Sequence, residues 1–201
     1  FTKSGAKALS GPAAPVISGA VNGAYYNKPV SLSWEEVSGA KTSALLTKFG
    51  NTPAAYENGS SINADGSYVL EVSAVSDANK MSSKSSLAFV IDTTRPAVSL
   101  SYGANPAGEG LMRIIASFTE VLAEGSALKI NIDQPGSEDI KNASMTRDQS
   151  SPALWYYDYY VNAADGSKYI DGVASVSLSE VSDPAGNIAQ APSNASFVIN
   201  T

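Results

Sequence analysis

The chain has neither cysteine nor histidine in its 201 residues. Without a thiol or an imidazole it cannot build a disulfide framework, a thiol nucleophile, a Ser-His-Asp triad or an ordinary zinc or haem site. Charged residues make up only 16% of the sequence, and Lys and Arg are scattered singly. This distribution disfavours nucleic acid and anionic membrane as partners. Any chemistry is left to carboxylates, hydroxyls and lysines.

Long apolar runs are also missing. No stretch approaches the roughly 20 apolar residues of a membrane-spanning helix, and no basic-then-apolar signal segment opens the chain. The net charge of −6 is uneven, because residues 1–94 carry seven bases and seven acids whereas residues 95–201 carry six bases and twelve acids. The chain begins at Phe1, and we expect it to be an excised or processed segment of a longer exported protein.

Two parts of the sequence resemble each other. Asp65–Asp77 aligns without gaps on Asp171–Asp183, and Ala88–Thr93 aligns on Ser196–Thr201. In each copy an Asp-Gly turn signal precedes a run of alternating apolar residues, and a Phe-x-Ile run follows. The similarity predicts two copies of one structural unit, each ending in a hairpin of two long strands.

Short alternating runs recur about every ten residues with Gly, Pro, Asn or Ser between them, and amphipathic helical windows are absent. The pattern predicts an all-β chain of two antiparallel sandwiches in tandem. We place a flexible lead-in at residues 1–14, a first sandwich at 15–94 and a longer second sandwich at 95–201. The connector Asp92–Pro96 is predicted to be extended and at most about 17 Å long, since Pro96 keeps the preceding residue out of the helical region.

Three segments carry a family resemblance: Gly-Ala-Tyr-Tyr-Asn-Lys-Pro-Val-Ser-Leu at 23–32, Asp-Gly-Ser-Tyr-Val-Leu-Glu-Val at 65–72, and Phe-Val-Ile-Asp-Thr-Thr-Arg-Pro at 89–96. They resemble bacterial immunoglobulin-like (Big-type) domains, as do Ile-Ala-Ser-Phe-Thr-Glu-Val-Leu at 115–122 and Ser-Asp-Pro-Ala-Gly-Asn at 182–187. The resemblance implies tandem immunoglobulin-like sandwiches of an extracellular or cell-surface, adhesin-like protein. It also implies neighbouring repeats of the same chain as partners, with further copies after Thr201.

The resemblance further implies calcium at domain ends, because some adhesins of this kind bind Ca²⁺ where successive modules meet. The candidate ligands are Asp92 in the connector and Glu120, Asp183 and Asn187 in the second domain. No other cofactor is predicted. The alternative is that Asp183 and Asn187 only make turn hydrogen bonds and that Asp92 ends a strand.

Five aromatic residues and one carboxylate follow one another at residues 155–160. Tyr156, Asp158 and Tyr160 are candidate glycan ligands, since ring faces pack on sugar rings and a carboxylate accepts hydroxyl protons. The favoured interpretation is a core strand, with Trp155, Tyr157 and Tyr159 inward and Tyr156 and Tyr160 on the outer face.

Catalysis is the function that the sequence favours least. The adjacent acids Glu138 and Asp139, or Glu35 and Glu36, would point to opposite faces of a strand and could not flank one glycosidic bond. We therefore predict a non-enzymatic structural spacer, with stiffening by Ca²⁺ and a metal-free form as its two open versions. The alternatives are a glycan-binding or adhesive module that contacts a host or matrix glycan or protein, and an accessory segment of a secreted polysaccharide-degrading enzyme.

Overall fold

The computed structural model describes residues 11–201, and these residues form strands and loops without any helix. This part of the chain has no helix with the length and apolarity needed to cross a membrane. The chain divides into two compact units, and the boundary lies between Thr93 and Thr94. Of the lead-in predicted at residues 1–14, the first ten residues lie outside the described part.

Within residues 11–93, the first unit contains nine strands in two layers. A five-stranded sheet has the order β2-β9-β8-β5-β6, and the short pairs β1–β4 and β3–β7 form the opposite layer. The strands are β1 (Ile17–Ser18), β2 (Ala24–Tyr26), β3 (Val30–Ser31), β4 (Ser33–Trp34), β5 (Ala40–Lys48), β6 (Ala54–Ala55), β7 (Ser61–Ile62), β8 (Gly66–Ser76) and β9 (Ser85–Ile91).

Alternation along β8 creates the core of this unit. Tyr68, Leu70 and Val72 are buried on the face that meets the opposite layer, as the period of two predicts. They pack in one apolar cluster with Trp34 of β4 and Phe89 of β9. The predicted role of Trp34 as a packing residue is confirmed by its 7% exposure.

The strand pairings of the first unit are antiparallel except for one. β2 runs parallel to β9, with Ala24 opposite Phe89 and Tyr26 opposite Ile91. A parallel pair needs a long crossover, and the sixty residues or so between β2 and β9 provide it. This parallel pair differs from the prediction for the unit, which was of antiparallel strands only.

The second unit has two antiparallel sheets of four strands, ordered β10-β11-β15-β14 and β13-β12-β16-β17. A single apolar cluster that includes Ile114, Trp155 and Phe197 lies in its core. The predicted all-β class is confirmed, since both units are β-sandwiches. The strands are β10 (Val98–Tyr102), β11 (Gly110–Phe118), β12 (Lys129–Asp133), β13 (Ile140–Ser144), β14 (Thr146–Arg147), β15 (Leu154–Val161), β16 (Gly172–Leu178) and β17 (Ser196–Ile199).

The final hairpin of the second unit is shorter than predicted. β16 pairs with β17 over four residues, from Gly172 opposite Ile199 to Ser175 opposite Ser196. The chain between them leaves this sheet, because Gln190 N–H donates to Pro96 and Ser193 N–H donates to Val98 beside the other sheet. The predicted β16–β17 pairing is therefore cut short, and the segment between the two strands hydrogen-bonds to the first residues of the second unit instead.

Candidate functional site

The turn from Asp183 to Asn187 in the second unit begins and ends with a buried polar residue, and the two are 1% and 8% exposed. One Asp183 oxygen accepts from the Asn187 backbone N–H at 2.9 Å, and the other accepts from the Asn187 side-chain amide at 2.7 Å. Gly186 has φ +89°, a conformation that favours glycine. The turn hydrogen bonds that the sequence offered as an alternative to metal binding are therefore present.

Glu120 lies beside this turn. One of its carboxylate oxygens is within 4.8 Å of an oxygen of Asp183, and the Glu120 side chain is half-buried. Its position is fixed by the preceding residue, because Thr119 and Ala97 exchange two hydrogen bonds. Two carboxylates at this separation repel each other unless a cation or a proton lies near. Oxygen ligands of this kind suit Ca²⁺.

Asp92, the fourth predicted calcium ligand, belongs to the first unit. It follows β9 directly, its side chain is half-buried, and its backbone N–H donates to Tyr26 at 2.9 Å. The structure thus gathers Glu120, Asp183 and Asn187 within the second unit and places Asp92 two residues before the boundary.

Each unit ends in the same contact between an Asp and a Thr, an exit latch formed by Asp65 and Thr93 in the first unit and by Asp171 and Thr201 in the second. In the first unit Asp65 accepts from the Thr93 backbone N–H at 3.1 Å and from its hydroxyl at 2.9 Å. In the second, Asp171 accepts from the N–H and hydroxyl of Thr201, both at 3.0 Å. Sequence reasoning missed these contacts, although the alignment of the two copies places both Asp and both Thr at matching positions.

Arg95 anchors the start of the second unit. Its Nε donates to the Ile188 carbonyl at 2.7 Å and its Nη2 to the Ala189 carbonyl at 3.3 Å. Pro96 is buried, and its carbonyl accepts from Gln190 at 2.8 Å. The chain is therefore tied to the second unit from Arg95 onward.

The aromatic strand is β15, and its inward and outward positions follow the favoured interpretation. Trp155 and Tyr159 are buried, while Tyr160 is 54% exposed. The candidate glycan ligands Tyr156 and Asp158 are engaged by a residue that the sequence did not single out. Arg113 of β11 donates to both oxygens of Asp158, and its guanidinium lies 4.1 Å from the centre of the Tyr156 ring.

This contact changes what the outer face of β15 can bind. The hydrogen bonds from Arg113 hold the pKa of Asp158 below its usual range, so the carboxylate stays ionised and its lone pairs are shared. The guanidinium also lies over one face of the Tyr156 ring. Of the three candidates, Tyr160 retains the most accessible ring.

Comparison with known proteins gives weak likenesses. No family model matches the sequence, and no curated protein does. Among solved structures, fibronectin(III)-like modules of Clostridium thermocellum CbhA are similar at 17% identity and TM-score 0.35, over 92% of this chain and 92% of that chain. The D00-D0 domain of intimin is similar at 9% identity and TM-score 0.42, over 93% of this chain and all of the other.

A third similar structure is that of a bacterial ice-binding adhesin, at 16% identity and TM-score 0.40, over 94% of this chain and 65% of that chain. All of these TM-scores lie below 0.5, so the likenesses carry no inference about function.

Proposed function

We propose that this chain is a pair of immunoglobulin-like spacer modules, without catalytic activity, from an exported bacterial surface protein of the adhesin type. The observation that carries the proposal is the way the chain is tied on both sides of Thr94. Thr93 is held to the first unit through Asp65, and Arg95 is held to the second through Ile188. A single residue separates the two anchors, which leaves less hinge freedom than a flexible linker allows.

Self-contained cores support the same role. Each unit buries its own apolar cluster, so each holds its shape without help from the other. Modules of this kind, joined end to end, extend a chain at low sequence cost. The exit latch at Thr201 matches the one at Thr93, so the two units end in the same way, as expected of two copies of one module.

The acidic pairs considered for catalysis support a non-enzymatic role. Glu138 lies 3.6 Å from the Lys168 ammonium, and Asp139 lies 3.4 Å from that of Lys141. Glu36 accepts a hydrogen bond from Thr42. We propose that carboxylates with such partners serve as ion pairs and hydrogen-bond acceptors and not as an acid and a base in hydrolysis.

Calcium is the proposed stiffening device, with Glu120, Asp183, Asn187 and Asp92 as ligands. Glu120 and Asp183 are already within 4.8 Å of each other, and a divalent cation would relieve their repulsion. Ala97 lies five residues after Asp92, and its N–H donates to Thr119, the residue that precedes Glu120. Five extended residues span up to about 17 Å, so the connector is long enough for Asp92 to supply a ligand.

Calorimetry and small-angle scattering test this proposal on the full chain. After EDTA treatment, addition of CaCl₂ to a hundredfold excess over Kd should stabilise the calcium-binding state by about 2.7 kcal/mol, which raises Tm by several degrees. It should also narrow the distribution of interdomain distances. Mg²⁺ should have a much smaller effect, because it requires a tighter octahedral site.

The matched variants are Glu120→Gln and Glu124→Gln. Glu120→Gln should abolish most of the calcium response, whereas Glu124→Gln, on an exposed loop residue, should leave it intact. Equal responses in both variants would remove the proposed ligand set. A calcium-independent but narrow distance distribution would leave a metal-free spacer, and a distribution as broad as that of a flexible linker would contradict the spacer role itself.

A further inference from the structure

We propose that the second unit carries a binding cavity for a neutral mono- or disaccharide, beside strand β15 and away from the calcium ligands. The cavity has a volume of about 310 Å³. This size falls at the lower end of the roughly 300–1,000 Å³ typical of small-molecule sites. Tyr157, Tyr160, Asn162 and Tyr169 line it, together with the carboxylates Glu138 and Asp139.

The cavity exists because one edge of β15 is covered for only part of its length. β14 pairs with β15 at Trp155 and Tyr156, and within residues 11–201 no strand extends this edge further. Two loops, 134–139 and 162–171, rise beside the uncovered residues. A saccharide there would meet side chains from both loops and from the strand.

The two loops brace each other. The Ser137 N–H donates to the Lys168 carbonyl at 3.0 Å, and Gly136 lies so close that an added Cβ would come within 1.8 Å of that oxygen. Asp165 accepts from the N–H groups of Ser167 and Tyr169 at 2.8 and 3.0 Å. The walls are thereby positioned before any ligand arrives, which reduces the entropy lost on binding.

The floor of the cavity is polar and buried. Gln134 is 6% exposed, its side-chain oxygen accepts from the Tyr159 hydroxyl at 3.1 Å, and its amide donates to the Glu138 carbonyl. Burial raises the pKa of Tyr159, so its hydroxyl keeps its proton across the neutral range. Fixed hydrogen-bonding groups of this kind orient a ligand that is itself rich in hydroxyls.

The charges favour a neutral ligand over a cation. Each carboxylate of the lining has a cationic partner: Glu138 has Lys168, Asp139 has Lys141, and Asp158 has Arg113. The negative charge that would attract a cation is therefore offset locally. The carboxylate oxygens remain acceptors for hydroxyl groups, and their cationic partners do not fill the cavity.

Aromatic faces complete the match to a sugar. Tyr160 is 54% exposed and Tyr169 is half-buried, so these two offer ring faces, while Tyr157 packs against the core and borders the cavity. Ring faces pack against the C–H face of a pyranose, while the phenol hydroxyls and the Asn162 amide hydrogen-bond its rim. A peptide strand added to the β15 edge would use backbone hydrogen bonds instead and would not need these side chains.

Titration of the full ¹⁵N-labelled chain with neutral saccharides tests the proposal. The probes are glucose, mannose, galactose, N-acetylglucosamine and their β-linked disaccharides, each up to 10 mM in EDTA, so that the result is independent of calcium and of the spacer role. At least one should bind saturably and shift amide signals at 157–162 and in the two loops. Tyr160→Ala and Asn162→Ala should each weaken binding about tenfold or more.

Tyr25→Ala is the matched control, because Tyr25 is a strand tyrosine of similar exposure, 49%, in the first unit. It should leave saccharide binding unchanged. Both Tyr substitutions are at exposed positions, so retention of the wild-type Tm checks that the fold is intact. The proposal is overturned if no neutral saccharide binds by 10 mM, if binding survives Tyr160→Ala and Asn162→Ala, or if only a peptide ligand shifts these signals.

Discussion

Arg113 and Asp158 lie opposite each other on β11 and β15, and the guanidinium of Arg113 donates to both carboxylate oxygens, at 2.6 and 2.7 Å. The Tyr156 ring lies 4.1 Å below the guanidinium carbon. Two strands of the same sheet are thus joined by an ion pair and a cation–π contact on the outer face.

This pair predicts a pH dependence of stability. The hydrogen bonds from Arg113 lower the folded-state pKa of Asp158, so the pair stabilises the fold above the unfolded pKa of about 3.9 and loses that effect as pH falls through the folded value. Asp158→Asn should reduce Tm slightly at pH 7. The difference between wild type and variant should shrink as the pH falls from about 4.5 to 2.

Calorimetry between pH 2 and 7 measures this difference. Both side chains are more than a third exposed, so the effect should also weaken in 1 M NaCl. Glu71→Gln is the control, because Glu71 forms an exposed ion pair with Lys84 that has no stacked ring. Its change in Tm measures what such a pair alone contributes to stability. A difference that is independent of pH would contradict the role of the Asp158 charge.

The exit latches predict a local cost for losing a hydroxyl. Thr93→Val removes the hydrogen bond from Oγ1 to Asp65 while keeping the side-chain shape. Thr201→Val removes the hydrogen bond from Oγ1 to Asp171 and also the one that Oγ1 accepts from the Ala164 N–H. Each substitution should lower the free energy of unfolding of its unit by about 0.5–1.5 kcal/mol. Urea denaturation measures the loss, and Thr52→Val, in an exposed loop, is the control.

A double-mutant cycle identifies the partner. Combining Thr201→Val with Asp171→Ala should cost less than the sum of the single changes, because both remove the same interaction. If the costs of the two single substitutions simply add in the double variant, the effect of Thr201→Val does not come from its contact with Asp171.

Arg95 should control the freedom of the connector. Arg95→Gln removes the guanidinium donors to the Ile188 and Ala189 carbonyls. The first residue that is hydrogen-bonded to the second unit then comes after position 95. We expect a broader interdomain distance distribution with little change in the Tm of the first unit. Because the chain has no cysteine, spin labels on Thr52→Cys and Gln149→Cys report this distance without background.

Lys84→Gln is the control for loss of a positive charge, since Lys84 pairs with Glu71 of the first unit and not with a residue of the connector. An unchanged distribution in Arg95→Gln would show that Thr93 and Pro96 alone fix the chain.

Gly136 predicts a steric effect on the saccharide cavity. Its added Cβ would lie 1.8 Å from the Lys168 carbonyl oxygen, a backbone atom that cannot move aside easily. Gly136→Ala should destabilise the unit by about 1–3 kcal/mol and separate the two loops. Gly108→Ala, where the nearest atom is 4.0 Å away, should change stability by less than about 0.5 kcal/mol. Thermal unfolding and hydrogen exchange at Ser137 distinguish the two.

Local alternation made much of the fold predictable from the sequence. The buried faces of β8, β12 and β15 follow a period of two, and the Asp-Gly pairs at 65–66 and 171–172 mark where β8 and β16 begin. Such signals are contained in ten residues or fewer, and a shift by one residue would move every apolar side chain to the wrong face. Burial therefore fixes these elements without knowledge of their neighbours.

Contacts between distant residues were not predictable in the same way. Arg113 and Asp158 are 45 residues apart, and their pairing depends on the register between β11 and β15. The cavity depends on how early β14 ends and on two loops whose spacing is set by Gly136. Glu120 was proposed only through a family resemblance, since nothing in its local sequence indicates that Asp183 lies nearby.

The parallel pairing of β2 with β9 has a mechanical consequence. When tension pulls the two ends of the first unit apart, strands near opposite ends of the unit that run in the same direction are drawn past each other lengthwise. The hydrogen bonds between Ala24–Tyr26 and Phe89–Ile91 then bear the load together instead of rupturing one by one. In the second unit Ala107 and Ile199 also form a parallel bridge, so the last strand of each unit has a parallel contact with an earlier segment of that unit.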